Sequence, residues 1–278
     1  MRVHHTEVPD ELHVAEVGDG SRRVVFLHGL FGQGRNFHTI ARSLCEADPS
    51  LRCLLVDLPD HGRSPWTQSF DYQAIADRVA AQDDLLTVDS PALLVGHSMG
   101  GKVAMQVALR HPTLVSHLVV VDISPAATDA IRRQFNPLVT ALAGIDLTTL
   151  ASRQEADREL AVAVTNPGSR AFLLQNLRHD HHAEHGRQWR WRMNLELIAS
   201  HLDEIGDWRT DDGQVFDGPV TWVAGADSDY VRDEHVDPMR ELFPRTRRVT
   251  VKNSGHWVHA DQPEAFTAIL QKALADQQ

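Results

Sequence analysis

The segment Gly96-His97-Ser98-Met99-Gly100 carries the most directly readable chemistry in the chain. It matches G-x-S-x-G, follows the apolar run Leu93-Leu94-Val95 and precedes a helical stretch from Lys102 to Arg110. A serine on a sharp strand-to-helix turn sits in strained backbone with its hydroxyl projecting into a cleft, which suits a nucleophile. The positions two before and two after it press on the neighbouring strand and helix, so Gly96 and Gly100 must lack side chains. The amide of Met99 then points to where negative charge develops, and the dipole of the following helix adds to that field. Ser98 is the candidate nucleophile of an acyl transfer.

Such a serine needs a base and a second oxyanion donor. His28-Gly29-Leu30-Phe31-Gly32 follows the run Val24-Val25-Phe26-Leu27, and the backbone N–H of Leu30 is the candidate donor. Phe31 is expected to form pocket wall. The chain has 17 histidines, so a lone one carries little meaning. His256, in Asn253-Ser254-Gly255-His256-Trp257, stands out because it lies beyond the last strand and after the other candidates in chain order. A loop there can bring imidazole within hydrogen-bond reach of the serine. Trp257 is a second candidate for the pocket. His97 reads as the variable position of the serine turn, and His28 and His259 read as structural.

The third group must be a buried carboxylate that orients the imidazole and stabilises its charged form. Asp122 directly extends Val119-Val120-Val121, where an unpaired carboxylate is expensive, and that favours a purposeful partner. Asp227 and Asp229, in Gly225-Ala226-Asp227-Ser228-Asp229-Tyr230, are the alternatives. Asp122 is the choice. Asp57, in Asp57-Leu58-Pro59-Asp60-His61-Gly62-Arg63-Ser64, has no comparable turn around it and reads as scaffold for the turn that follows.

The elements that must position these residues alternate in type. Leu54-Leu55-Val56, Leu93-Leu94-Val95 and Leu118-Val119-Val120-Val121 are continuous apolar runs, as strands covered on both faces require. Helical stretches, including Ala74 to Leu86, lie between them. This rhythm predicts an α/β fold with a doubly wound, mostly parallel sheet. Val14-Ala15-Glu16-Val17, the turn Gly18-Asp19-Gly20 and Val24 to Leu27 read as a hairpin. From about Ala127 to Leu202 the pattern is helical with no convincing strand. Strands return at Val220 to Val223 and Val249 to Val251, and a last helix spans Pro263 to Ala275. The expected organisation is a core of residues 1–126 and 206–278 with a helical cap, residues 127–205, over the carboxyl ends of the strands, where ligands bind in open α/β sheets.

Taken together these segments resemble the α/β-hydrolase superfamily and, within it, the YbfF-type esterases. The likeness runs from Leu12 to about Leu274. It rests on the glycine turn at His28, the Asp57 to Pro65 segment, Gly96 to Met105, Val120-Val121-Asp122-Ile123-Ser124-Pro125 and Gly255-His256-Trp257-Val258-His259-Ala260. Most relatives carry the acid where this chain has Ser228. In the YbfF-type group it matches Asp122, which supports the same choice. The resemblance implies action on short-chain esters or acyl thioesters without a cofactor. The same fold also hosts carbon–carbon bond hydrolases, cofactor-free perhydrolases and non-catalytic binding modules, so fold alone does not decide.

Composition narrows the partners. With 27 basic and 38 acidic residues the net charge is -11, which disfavours nucleic acid or an anionic membrane. A small-molecule ester or thioester is the expected partner. Residues Met1 to Glu7 lack the apolar core of a signal peptide and no apolar run could cross a bilayer, so the cytoplasm is the default expectation. Cys45 and Cys53 lack metal-type spacing and are expected to be reduced and buried. His181 and His185 have helical i, i+4 spacing but no accompanying ligand set, so a solvated face is expected there and no metal is assigned.

Overall fold

The computed structural model describes residues 11–179 and 189–277. Residues Met1 to Glu7, and His181 and His185 in the His-rich stretch, lie outside that range. The chain runs through β1 (Val14–Val17), β2 (Arg22–Leu27), α1 (His38–Ala47), β3 (Leu51–Val56), α2 (Tyr72–Ala80), β4 (Ala92–His97), α3 (Met99–Arg110) and β5 (Val115–Val121). It continues through α4 (Asp129–Ala143), α5 (Arg153–Leu160), α6 (Pro167–Leu174), β6 (Leu177–His179), β7 (Trp189–Trp191), α7 (Leu195–Ser200) and α8 (Leu202–Gly206). It closes with β8 (Val220–Gly225), α9 (Val236–Leu242), β9 (Thr246–Val251), α10 (Val258–Asp261) and α11 (Pro263–Ala275).

Seven strands form one sheet in the order β1-β3-β2-β4-β5-β8-β9, all pairs parallel except β1 with β3. Successive side chains of a strand point to opposite faces, so a strand buried on both sides is apolar at every position. Val24 and Phe26 accordingly pack with Phe37, Leu44, Phe266 and Leu270 on the α1 and α11 face. Val25 and Leu27 pack on the other face with Ile75 and Val79 of α2 and Val103 and Val107 of α3. The centre of the sheet is sealed: Leu118 to Val121 are fully buried.

Four local expectations are corrected. β1 and β2 do not form a hairpin. β3 and β4 occupy the two edges of β2, and β1 lies antiparallel on the outside of β3, with Val14 opposite Val56. Gly18, at φ 78, lets the chain cross, and Glu16 pairs with Arg52 at 2.8 Å across the new edge. Residues 127–202 also contain a two-stranded sheet, β6 with β7, in which Leu177 faces Trp191 and His179 faces Trp189. Three-residue strands carrying arginine and histidine produce no apolar run. Helix α2 starts at Tyr72, where Asp71 accepts from the Gln73 and Ala74 amides, and ends at Ala80 rather than Leu86. Cys45 and Cys53 are free thiols with sulfurs 3.6 Å apart; Cys53 is buried and Cys45 only partly so.

The positioning consequence lies at β5 and β8. They are sheet neighbours, with Leu118 opposite Val220, yet α4 to α8 with the small hairpin intervene in sequence. The whole block is therefore one insertion, leaving from the β5 tip. Among the described residues no helix is long and apolar enough to cross a membrane.

Candidate active site

Ser98 sits between β4 and α3 with φ 52 and ψ -119, a left-handed φ that a residue with a Cβ adopts only under constraint. The constraint is visible. A Cβ at Gly96 would lie 2.2 Å from the Gly100 carbonyl oxygen, and one at Gly100 2.4 Å from that of Leu27. The Ser98 amide donates to the Val121 carbonyl at 3.0 Å, tying the turn to the end of β5. Met99 opens α3, so its amide has no acceptor within the helix.

The next residue after Val121 is Asp122, also left-handed at φ 51 and fully buried. Its carboxylate accepts from the Gly225 amide at 2.9 Å through Oδ1. Oδ2 accepts from His256 Nδ1 at 2.8 Å and from the Ser228 hydroxyl. A carboxylate cannot donate, so Nδ1 carries the proton of a neutral His256 and Nε2 is left with a lone pair. Nε2 is buried with no hydrogen-bond partner among the described residues. Asp227 and Asp229 are both exposed; Asp229 faces Arg232 at 3.5 Å rather than His256. Of the three candidate acids, only Asp122 meets the imidazole.

Three groups around His256 escaped sequence reasoning. The Tyr230 ring stacks on the imidazole, with centroids 4.0 Å apart and planes 22° apart, and its hydroxyl donates to Gln134 of α4. His97 bonds through Nε2 to the His256 carbonyl at 2.8 Å, so it braces the loop rather than merely filling a variable position. Ser228 replaces a carboxylate with a hydroxyl donor to Asp122. Each comes close only through tertiary packing; the one local hint is a serine flanked by two exposed aspartates.

In the glycine turn, the Gly32 amide bonds the Gly29 carbonyl at 2.9 Å, that of Phe31 bonds His61 Nε2 at 3.3 Å, and that of Gly34 bonds Asp57 at 2.8 Å. The Leu30 amide has no such acceptor among the described residues. Asp57 is scaffold, since its other oxygen accepts from the Arg63 amide at 2.9 Å. Phe31 is fully buried, at φ 62, and meets Phe135 of α4 edge-on with ring centroids 5.6 Å apart. Trp257 lies 6.0 Å from Phe172 of α6, so both aromatic candidates meet the inserted block. A cleft of about 1140 Å³ lies elsewhere: Trp66, Leu147, Trp189 and Trp191 line it, and neither Ser98 nor His256 does.

Burial shapes the surrounding imidazoles. His28 accepts from the Leu58 amide at 3.0 Å, and burial, reinforced by His61, pushes its pKa down to about 3. Burial and then His256 push His259 down to about 4. An unfolded imidazole takes its proton near 6.5, so between that value and about pH 4 the unfolded chain holds more protons than the folded one. Stability is therefore lost as pH falls below 6.5, by roughly 3 kcal/mol for His259 and by more for His28 as the folded values are approached. Thermal melts should show Tm falling steeply between pH 6.5 and 4, with a shallower fall in His259→Phe; a flat profile contradicts the assignment.

The comparisons bear on this geometry. Residues 22–263 match the α/β-hydrolase fold family. The chain belongs to that family. It is 37% identical over 256 residues, 91% of this chain and 80% of the relative, to a protein of Mus musculus named sn-1-specific diacylglycerol lipase ABHD11. It is 28% identical to Esterase YbfF of Escherichia coli K12, over 91% of this chain and 93% of that one. A solved marine microorganism esterase superposes with a TM-score of 0.86 at 29% identity, covering 94% of this chain and 98% of the other. This α/β hydrolase is thus of the esterase and lipase type, and the seven-stranded sheet is the family's sheet.

Proposed function

We propose that this chain is a serine hydrolase that cleaves small carboxylic esters or thioesters through an acyl-enzyme. The reading is carried by the buried 2.8 Å Asp122–His256 contact beside the strained Ser98 turn. Ser98 Oγ attacks the acyl carbon as His256 Nε2 takes its proton, and Asp122 stabilises the imidazolium. The Leu30 and Met99 amides hold the oxyanion, each such donor contributing about 3 kcal/mol to lowering the barrier. Collapse expels the alcohol or thiol, which leaves with the proton from His256. Water then attacks the acyl-enzyme, His256 again takes and returns a proton, and the free acid and Ser98 hydroxyl are regenerated. Side chains, substrate and water supply every proton and electron pair, so the reaction calls for no metal or cofactor.

In this reading residues 127–205 are a cap over the core of 1–126 and 206–278, and Phe31 and Trp257 line the acyl pocket. Support comes from the insertion between β5 and β8, and from Asn176, whose Nδ2 donates to the Phe31 carbonyl at 2.8 Å. The relatives named esterase and lipase favour an ester over other bonds. A panel of p-nitrophenyl esters of increasing acyl length, beside acyl thioesters, tests this. Turnover of at least the short esters is expected; failure on all of them with cleavage of a vinylogous diketone would instead indicate carbon–carbon hydrolysis.

A further inference from the structure

One loop after β8 holds both members of the buried Asp122–His256 pair. Ser228 donates its hydroxyl to Asp122 Oδ2, and two residues further on the Tyr230 ring lies over His256, with centroids 4.0 Å and planes 22° apart. The Tyr230 amide donates to Ser228 Oγ at 3.3 Å, which ties the two groups together. His97 and Trp257 also meet the imidazole, but tilted, at 45° and 61°. Among the described residues Tyr230 is thus the one whose face lies along the ring. It is only 4% exposed, and a buried tyrosine hydroxyl needs a partner. That partner is Gln134 of α4, in the inserted block. The next residue of the helix, Phe135, meets Phe31 in the glycine turn. Consecutive residues of α4 therefore reach the ring over His256 and the loop that carries the Leu30 amide.

The stack matters because of what the imidazole becomes. The face of an aromatic ring is negative, so it attracts a cation more than a neutral ring, most strongly where water is excluded. In the acyl-transfer reading His256 is neutral before Ser98 Oγ attacks and positive once it has taken the proton. A face that favours the positive form lowers the barrier without tightening substrate binding. Asp122 faces the imidazole through Nδ1. Burial first, then His256 and His259, hold His97 of β4 well below the ordinary histidine range, and burial with His256 holds His259 of α10 at about 4. Both rings are therefore neutral between about pH 5 and 8. Around the tyrosine stand Asp229, Asp122 and Arg133 of α4. Burial, then the two carboxylates, push its hydroxyl above the ordinary tyrosine range, so it stays a donor to Gln134.

We propose that Tyr230 is a positioning residue of the hydrolysis: its ring holds the His256 imidazole toward Asp122, and its face stabilises the imidazolium. The proposal rests on the acyl-transfer reading. Steady-state kinetics on a p-nitrophenyl ester across pH, with a thermal melt of each preparation, tests it. Tyr230→Leu keeps the surroundings apolar but removes the aromatic face. Its kcat should fall roughly five- to thirtyfold with KM unchanged. The acid limb of its kcat/KM profile should move to lower pH, because the free enzyme's imidazole is harder to protonate without the ring. Tyr230→Phe keeps the face and should stay within about threefold of the wild type, with the wild-type acid limb. Mono-, di- and trifluorophenylalanine at position 230 keep the shape while draining the face of negative charge. Their kcat should fall stepwise with each fluorine, and this series carries the test if Tyr230→Leu does not fold. A loss in Tyr230→Phe as large as in Tyr230→Leu, a raised KM in place of a lowered kcat, an unmoved acid limb, or rates indifferent to fluorination would overturn the proposal. With an active wild type those outcomes strike the proposal alone; a wild type that cleaves no ester would bring down the acyl-transfer reading and the proposal together.

Discussion

Ser98→Ala lowers kcat for ester hydrolysis by roughly 10⁵- to 10⁶-fold, while the folded state persists. The expected size follows from how the groups act as a unit. Without Oγ there is no acyl-enzyme, and His256 with Asp122 has no alcohol to activate. The oxyanion donors and substrate binding survive, which leaves a residual rate above that in water. The fold should tolerate the change because the strain at φ 52 is imposed by Gly96, Gly100 and the Ser98–Val121 hydrogen bond, none of which involves the hydroxyl. Steady-state kinetics on a p-nitrophenyl ester, with a thermal melt of the same preparation, checks both halves. A variant that keeps wild-type kcat would remove the proposed nucleophile.

Asp122→Asn gives the second large effect, a fall of about 10⁴-fold in kcat. An asparagine fits the same space, but its amide nitrogen donates where the carboxylate accepted. Turned toward His256, it forces the ring into the tautomer with hydrogen on Nε2, which can no longer take a proton from serine. Turned away, it meets the Gly225 amide as a competing donor. Asp227→Asn and Asp229→Asn should leave kcat unchanged, because both carboxylates are exposed and Asp229 faces Arg232. Kinetics of the three variants side by side decide the acid; a loss confined to either exposed aspartate would contradict the proposed role of Asp122.

How much of this was legible depended on whether the signal was local. The buried strands announce themselves as unbroken apolar runs, and the serine turn as a glycine pattern between a strand and a helix. Asp122 is legible for a related reason, since a carboxylate at the tip of a fully apolar strand demands donors, and three are present. Pairing partners are not local. Nothing in Val14 to Val17 distinguishes pairing with β2 from pairing with β3, because an edge strand needs only one apolar face. The β6–β7 hairpin stays hidden behind its arginines and histidines. Ser228 and Tyr230 from the loop after β8, and His97 from the end of β4, reach Asp122 and His256 from distant parts of the chain, so no spacing rule links them to the triad candidates.

Fluorophosphonate labelling followed by peptide mass spectrometry tests the proposed nucleophile most directly. An activated hydroxyl displaces fluoride from the probe and becomes covalently marked, whereas an ordinary serine does not react. The proposed mechanism predicts a single adduct on the peptide containing Ser98, abolished in Ser98→Ala and strongly slowed in Asp122→Asn. Labelling that persists at another residue in Ser98→Ala, or a wild-type protein that takes up no probe, would contradict it.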